Sequence, residues 1–303
     1  MISVVGEALV DLIAGPDGRT FTAHPGGSPA NVAVGLARLG TATALHTHLG
    51  DDLFGRFLRD HLAAEGVPVD LLPARDPGTS VAFAATDQDG VAAYDFRIGW
   101  DVTRIPAARV LHTGSLAAAL APGPVEAAMD AAATVSYDPN IRPALAGPRA
   151  AERARVERQV GKADIVKASA DDLAWLYPGA DPRERAADWL ARGPRLVVVT
   201  LGPDGAYAVT QDGQVTRSCG PVTVVDTVGA GDSFTAALLH ALDRAGALEH
   251  GSDRPEDLVA ALDLANAAAA VTCGRAGADP PTADEIDYGK FTRTGGEVPG
   301  DAD

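Results

Sequence analysis

The stretch DTVGAGDSFTAALL, residues 226 to 239, places a carboxylate directly after three small residues. Gly229, Ala230 and Gly231 come first, and Asp232 follows them. Small residues at a helix start let successive backbone N–H groups converge on an anion, at the positive end of the helix dipole. A carboxylate beside such an anion cradle can take a proton from a hydroxyl during phosphoryl transfer, but it can also simply stabilise the helix start. These residues alone leave both interpretations open.

The flanking residues predict the elements that would position this joint. Val222 to Val225 predict a strand before it, and helical spacing of apolar residues predicts a helix after it, at Phe234, Ala237, Leu238, Ala241, Leu242 and Ala245. A second helix start lies in GGSPANVAVGLARLG, from Gly26 to Gly40. There Ser28 is a candidate N-cap, Pro29 suits the first helical position, and Gly40 suits the exit.

Short apolar runs alternate with helical patterns along most of the chain. The runs SVVGEALVDLI, TATALHTHL, RVLHTG, TVSYD, ADIVKAS and RLVVVTLG predict strands. The predicted helices between them are Leu53 to Glu65, Val125 to Ala133, Arg149 to Val160 and Arg183 to Arg192. Strands separated by helices of this length predict an α/β fold, with a mostly parallel sheet covered on both faces.

Two segments, residues 8–24 and 79–98, interrupt this alternation. Each alternates apolar and polar residues around a turn signal, GPDG in the first and DQDG in the second, and has no helix. They predict two hairpins that form a small β flap attached to the sheet domain. The polar, glycine-rich residues 291–303 predict a disordered tail after one domain that spans residues 1–290.

The amino-acid composition argues against some classes of binding partner. The 303 residues carry a formal net charge of -16, which argues against nucleic acid or an anionic membrane as the main partner. The chain has two cysteines and no metal-ligand spacing, and its N-terminus lacks the basic flank of a signal peptide. No apolar run is long enough to predict a membrane span. We therefore expect a cytoplasmic protein.

Two long motifs resemble the signatures of the ribokinase (PfkB-type) family of sugar kinases. The first is GGSPANVAVGLARLG, and the second is Asp226 to Phe234, DTVGAGDSF, about 200 residues later. Neither a P-loop motif nor a protein-kinase HRD motif occurs. The resemblance extends from Val4 to about Asp284 and implies a ribokinase-like three-layer fold with a small β lid over the sugar.

The resemblance implies a role for each motif residue. Asp232 would be the catalytic base, and the backbone of Gly229, Ala230 and Gly231 would stabilise the transferring phosphoryl group. Asp11 in the first hairpin matches the family's substrate-binding aspartate. The other implied sugar contacts are Gly26, Gly27, Asn31 and Arg97, the last matching an arginine of fructokinase-like members.

The resemblance also implies a nucleotide side, with ATP and Mg²⁺ as expected cofactors. Its residues are Lys167, Ser169, Thr200, Gly202, Gly205 and Asn266. The stretch SYDPNIR resembles a fructokinase motif and would place Asp138 and Asn140 near the phosphates or the Mg²⁺ waters. Asp226 and Val228 match the loop that binds a monovalent cation of the potassium type in many members.

The implied function is an ATP-dependent sugar kinase that phosphorylates a primary hydroxyl, with fructose as the leading substrate. 2-Keto-3-deoxygluconate, ribose or a nucleoside would suit the same scaffold. A non-catalytic sugar- or nucleotide-binding regulator is a second hypothesis, which the retained Asp232 and glycines disfavour. A homodimer formed through the lid is expected, because pairing would cover an exposed sheet edge.

Overall fold

The computed structural model describes residues 1–75, 78–86, 92–250 and 255–286, so the predicted tail at 291–303 lies outside the described residues. A nine-stranded sheet runs through the centre of the molecule, in the order β13-β12-β11-β10-β9-β8-β1-β4-β5. Its strands are β1 (Ile2–Val5), β4 (Thr43–Thr47), β5 (Val69–Leu71), β8 (Val110–Gly114), β9 (Thr134–Asp138), β10 (Ile165–Ser169), β11 (Leu196–Thr200), β12 (Ala206–Thr210) and β13 (Gly213–Arg217). All pairings are parallel except those of β12 with its two neighbours.

Helices cover both faces of this sheet. They are α1 (Ser28–Arg38), α2 (Leu53–Ala64), α3 (Ser115–Leu120), α4 (Pro122–Ala131), α5 (Arg149–Val160), α6 (Ala170–Leu176), α7 (Pro182–Leu190), α8 (Ala230–Arg244), α9 (Ala247–His250) and α10 (Pro255–Cys273). In β11, Leu196 and Val198 join the core under α1, α8 and α10, whereas Val197 and Val199 join the core under α4 to α7. A strand buried on both faces is a continuous apolar run, as predicted for RLVVVTLG. The α/β prediction is confirmed.

The two helix-free segments form a separate four-stranded sheet, in the order β3-β2-β6-β7. It contains β2 (Leu9–Ala14), β3 (Phe21–Gly26), β6 (Ser80–Thr86) and β7 (Ala92–Arg97). Each hairpin is antiparallel, and a parallel pairing of β2 with β6 joins them. We call this unit the small sheet. Its first hairpin leads directly into α1.

Helices α1 and α8 cross closely, which brings the starts of the two motifs together. A Cβ on Gly35 of α1 would lie 2.7 Å from the Cβ of Ala236 in α8. The absence of a side chain at residue 35 therefore lets the two helix backbones approach. Because each motif lies at the N-terminal end of its helix, this crossing sets the distance between them.

Three local predictions are wrong or incomplete. Val222 to Val225 form no strand: Val224 and Val225 are exposed, and Val225 N–H donates to the carbonyl of Cys273 at the end of α10 instead of to a neighbouring strand. The hairpin of β12 and β13 was not predicted. Ser28 is not the N-cap of α1, because Gly27 holds that position. Within the described residues, none of the helices has the length and hydropathy needed to cross a bilayer.

Candidate active site

The sugar-side residues of the first motif meet where the small sheet joins α1. Gly26 ends β3 opposite Leu9, and a Cβ on it would overlap Asp11 Oδ2. Gly27 has φ 101°, and a Cβ there would lie 2.5 Å from the carbonyl oxygen of Glu7. Two adjacent positions thus require glycine for different steric reasons. Burial raises the pKa of Asp11 to about 6, although the positive charges of His24 and Arg142 act in the opposite direction.

Asp232 lies in the first turn of α8, but its side chain does not cap that helix. Gly229 is the N-cap, with φ 76°, and no side chain caps α8. The Asp232 carboxylate is instead bonded to α1: Ser28 Oγ donates to Oδ1 at 2.6 Å, and Asn31 Nδ2 donates to Oδ2 at 2.8 Å. Only 8% of Asp232 is exposed. The cap interpretation therefore does not describe this carboxylate.

The backbone at the start of α8 presents free donors. Ala230 N–H donates to the carbonyl of Thr227 at 3.3 Å. The N–H groups of Gly229, Gly231 and Asp232 have no protein acceptor among the described residues. Such first-turn donors, at the positive end of a 15-residue helix, suit an anionic group. The cradle packs closely against the loop that contains Ala278, because a Cβ on Gly229 would lie 2.6 Å from the Cβ of Ala278.

A buried ion pair lies beside this cradle. Lys167 Nζ is 2.9 Å from Asp138 Oδ2, and both side chains are almost inaccessible to solvent. Burial raises the pKa of Asp138 to about 6. Burial alone would lower the pKa of Lys167, but the charges of Asp138 and its neighbours, including Asp232, raise it on balance. The pair is therefore ionic at neutral pH, and a Cβ on Gly231 would lie only 3.2 Å from Lys167 Nζ.

Two predicted nucleotide-side residues lie at the carboxyl ends of adjacent parallel strands, where open α/β sheets bind ligands. Ser169 ends β10 and is paired in register with Thr200 at the end of β11. Ser169 also caps α6 through a capping box with Asp172. Asp172 Oδ1 accepts a further bond from Ile141 N–H at 2.7 Å, which ties the loop after β9 to α6.

The remaining predicted nucleotide residues lie farther along the same edge. Gly202 and Gly205 have φ of 60° and 89°, and a Cβ on Gly205 would overlap the carbonyl oxygen of Arg217. Asn266 is buried in α10, where its Nδ2 donates to that same carbonyl at 3.2 Å. Asn266 therefore joins α10 to the end of β13, beside the turn that contains Gly202 and Gly205.

Asp226 connects two loops behind the cradle. Its Oδ1 accepts from Val228 N–H at 3.0 Å, and its Oδ2 accepts from Gly277 N–H at 2.9 Å. These backbone bonds lower the pKa of Asp226. Within the described residues, no cluster of three or more His, Cys, Asp or Glu side chains could hold a metal ion. A monovalent cation here would depend on backbone carbonyls.

The structure does not bring Arg97 to the other sugar-side residues. Arg97 pairs in register with Val81, which pairs with Val10, whereas Asp11 aligns with Ala82. Neighbouring residues of a strand point to opposite faces, so Arg97 and Asp11 lie on opposite faces of the small sheet. The Arg97 side chain is 70% exposed and forms an ion pair with Asp95 at 3.0 Å.

Two charged residues without an assigned role lie on the sugar side instead. Arg142 follows β9, and its positive charge acts on both Asp11 and Glu7. Glu7 is 1% exposed, and its carboxylate accepts from Ala117 N–H at 2.9 Å. The DPNIR stretch contained the signal for Arg142. A polar residue after the first strand was the only signal for Glu7.

Comparison with known proteins finds relatives over nearly the whole chain. The family model described as pfkB family carbohydrate kinase matches residues 1–285. A fructokinase from Klebsiella pneumoniae is 37% identical over 292 residues, which cover 90% of this chain and 91% of that protein.

Two solved structures share the fold over nearly the whole chain. The fructokinase from Xylella fastidiosa with bound ATP has a TM-score of 0.81 at 29% identity, covering 95% of this chain and 97% of that one. A double mutant of the fructokinase from Vibrio cholerae O395, with fructose, ADP and potassium ion bound, has a TM-score of 0.78 at 29% identity and covers 96% and 97%. Since a family model matches almost the whole chain, and the two signature motifs converge on one buried carboxylate, the chain belongs to the pfkB family of carbohydrate kinases.

Proposed function

We propose that this sugar kinase transfers the γ-phosphoryl group of ATP to a primary hydroxyl of fructose, giving fructose 6-phosphate, with Asp232 as the base. One observation carries the site assignment. The carboxylate of Asp232 accepts hydrogen bonds from two residues of the first motif, and Asp232 belongs to the same helix turn as the free N–H groups of the second motif, so a hydroxyl and a phosphoryl group can meet there. A carboxylate held beside an anion cradle suits phosphoryl transfer to a weakly nucleophilic hydroxyl.

Each part of the site has one task in this proposal. Asp232 accepts the proton of the attacking hydroxyl. The backbone N–H groups around Gly229, Ala230 and Gly231 stabilise negative charge on the transferring group, and Lys167 adds a nearby positive charge. Because these donors are already in place, little reorganisation is needed when the charge develops.

On the sugar side, we assign Asp11, Gly26, Gly27 and Asn31 to hydroxyl recognition. Buried sugar hydroxyls need partners, and the Asp11 carboxylate and the Asn31 amide supply acceptors and donors. The sequence-based prediction adds Arg97 to this side, but Arg97 lies on the opposite face of the small sheet from Asp11, so we expect it to contribute less to sugar binding. The electrostatic influence of Arg142 on Asp11 supports it as a further candidate on this side.

On the nucleotide side, we assign Lys167, Ser169, Thr200, Gly202, Gly205 and Asn266. The free first-turn donors of α8 and the buried ammonium of Lys167 fit a polyphosphate. Mg²⁺ would neutralise phosphate charge, and we propose that Asp138 and Asn140 lie near the phosphates or the water ligands of the ion. Asp226 and Val228 belong to the loop that we propose for a K⁺-type ion.

The names and bound ligands of the relatives are the reason that we propose fructose, and not another sugar, as the substrate. Curated relatives from several bacteria and plants are named fructokinases, and two similar structures hold fructose. 2-Keto-3-deoxygluconate and ribose remain alternatives on the same scaffold. A non-catalytic regulator is disfavoured, because both signatures and their contacts are retained.

We further propose a single kinase domain that dimerises through the small sheet. The strands β3 and β7 are its two edges, and unpaired edges favour association. Phe21, on β3, is 48% exposed and forms an edge-to-face ring contact with Phe83. Sedimentation of the purified chain tests this, and a monomer at micromolar concentration would contradict it.

A coupled ATP-consumption assay over fructose, ribose, 2-keto-3-deoxygluconate, adenosine and inositol tests the function. We expect the highest kcat/KM with fructose. Asp232→Asn should lower kcat by several orders of magnitude while ATP binding, followed by calorimetry, stays measurable. Near-normal turnover by Asp232→Asn would remove the base assignment, and a preference for another sugar would change only the substrate.

A further inference from the structure

We infer that Ser28 is a positioning residue for the catalytic carboxylate, an inference that rests on the proposed role of Asp232 as base. The residue touches neither sugar nor nucleotide in the proposed assignments. Its Oγ donates to Asp232 Oδ1 at 2.6 Å, and the contact is buried on both sides. Hydrogen bonds to a buried carboxylate are among the strong ones, since one partner is charged.

The contact works together with Asn31, one helical turn farther along α1. Asn31 Nδ2 donates to the other carboxylate oxygen, Oδ2, at 2.8 Å. Residues three apart lie on the same helix face, so α1 offers Asp232 two donors from one side. A carboxylate bonded at only one oxygen can swing about its Cβ–Cγ bond. Two donors on separate oxygens fix the plane of the carboxylate and leave its remaining lone pairs directed elsewhere.

Ser28 is free for this role because of how α1 begins. A serine at a helix start normally accepts a backbone N–H as the N-cap. Here Gly27 is the N-cap, with a φ that suits glycine, and no side chain caps the helix. Ser28 is therefore inside the first turn, and its hydroxyl points at Asp232, 204 positions away in the sequence.

The position of the hydroxyl relative to Asp232 is itself fixed by the helix crossing. Gly35, two turns along α1, packs against Ala236, one turn along α8 from Asp232. A closely packed crossing leaves the two helices little room to slide. The crossing therefore holds the Ser28 hydroxyl at a fixed distance from the Asp232 carboxylate.

Ser28 and Asn31 differ in one way that makes the inference testable. Asn31 is also assigned to the sugar, so its replacement would alter both sugar binding and the base. Ser28 has only the Asp232 contact among its side-chain bonds in the described structure. Its loss should therefore reduce the rate of phosphoryl transfer without a matching change in KM for sugar or ATP.

The experiment measures the single-turnover rate with ATP and the best sugar of the screen, together with both KM values, for Ser28→Cys, Ser28→Ala and Ser28→Thr. Cysteine leaves no cavity but is a weak donor whose larger sulfur cannot approach Asp232 Oδ1 to 2.6 Å, whereas alanine removes the donor without adding volume. We expect Ser28→Cys and Ser28→Ala to lower the rate about 10- to 100-fold, with KM values within about 3-fold of the parent. Ser28→Thr keeps the hydroxyl and should retain at least about a fifth of the rate.

Ser136→Ala is the matched control, because Ser136 is another buried serine, bonded to His112 at 3.0 Å on the large sheet. It should lose stability but keep its rate. A rate within 2-fold of the parent for both Ser28→Cys and Ser28→Ala would overturn the inference, as would equal losses for Ser28→Thr and Ser28→Ala. A fully active Asp232→Asn would instead overturn the base assignment, so the two failures are distinguishable.

Discussion

Gly26 lies diagonally across the first hairpin from Asp11, and so close to it that a Cβ on residue 26 would overlap Asp11 Oδ2. Gly26→Ala must therefore displace the carboxylate that is proposed to bind the sugar. We expect KM for the sugar to rise at least about 10-fold, with KM for ATP nearly unchanged, because Asp11 is assigned to the sugar and not to the nucleotide. Gly123→Ala is the control, since a Cβ there meets nothing within 4 Å. A parallel rise in both KM values would point to general damage.

Asp11 should make stability depend on pH in a defined direction. Burial raises its pKa from 3.8 to about 6, so the folded state disfavours the charged form. An acid with a raised folded pKa destabilises the fold progressively as pH rises through 3.8 to 6, and the loss is complete above that window. Asp11→Asn should therefore raise the free energy of unfolding at pH 8 by up to about 3 kcal/mol and change it little near pH 4. Urea titrations of both proteins at the two pH values measure this. A gain that is the same at both pH values would contradict it.

The buried pair of Lys167 and Asp138 should be costly to break on one side. Lys167→Met leaves Asp138 buried without its counter-ion and should lower the free energy of unfolding by roughly 3–5 kcal/mol. The double variant with Asp138→Asn should recover most of that loss, because no charge then remains unpaired. Lys162→Met is the control: its partner Asp130 is 59% exposed, and such surface pairs contribute about 1 kcal/mol or less. Equal losses for the two single lysine variants would contradict the argument.

The sequence predicted the α/β layers and the ends of many helices and strands, because hydrophobic periodicity and the residues that begin and end helices are local signals. The sequence-based predictions failed where contacts between residues far apart in the sequence determine the local structure. Val222 to Val225 have strand composition, but in the described part of the chain they pair with no strand, and Val225 bonds to the end of α10 instead. Ser28 has the composition of a cap, but the φ of Gly27 moves the cap by one position. The resemblance suggested which residues matter, whereas only the fold could show that Ser28 and Asn31 hold Asp232.

Strand register also explains the placement of Arg97. The sequence shows that residues 92–97 alternate, but a shift of one residue exchanges the two faces of a strand. The observed pairing puts Arg97 away from Asp11, and the charge of Arg142 acts on Asp11 instead. We therefore expect Arg142→Ala to raise KM for the sugar at least about 10-fold and Arg97→Ala less than about 3-fold. Steady-state kinetics in both substrates decide this, and the reverse order would restore the sequence-based assignment of Arg97.

Gly229 should tolerate no side chain, for two reasons that a control can separate. Its φ of 76° disfavours any residue with a Cβ, and an added Cβ would also lie 2.6 Å from the Cβ of Ala278. Gly66, at the exit of α2, has a similar φ of 70° but open space around it. Gly66→Ala should therefore lower the free energy of unfolding by only about 1 kcal/mol and leave kcat unchanged. Gly229→Ala should in addition push the cradle N–H groups away from the phosphoryl group and lower kcat at least about 100-fold, as measured with saturating ATP. If the two variants had the same kcat, backbone strain alone would account for the glycine, and the close contact with Ala278 would have no part in holding the cradle.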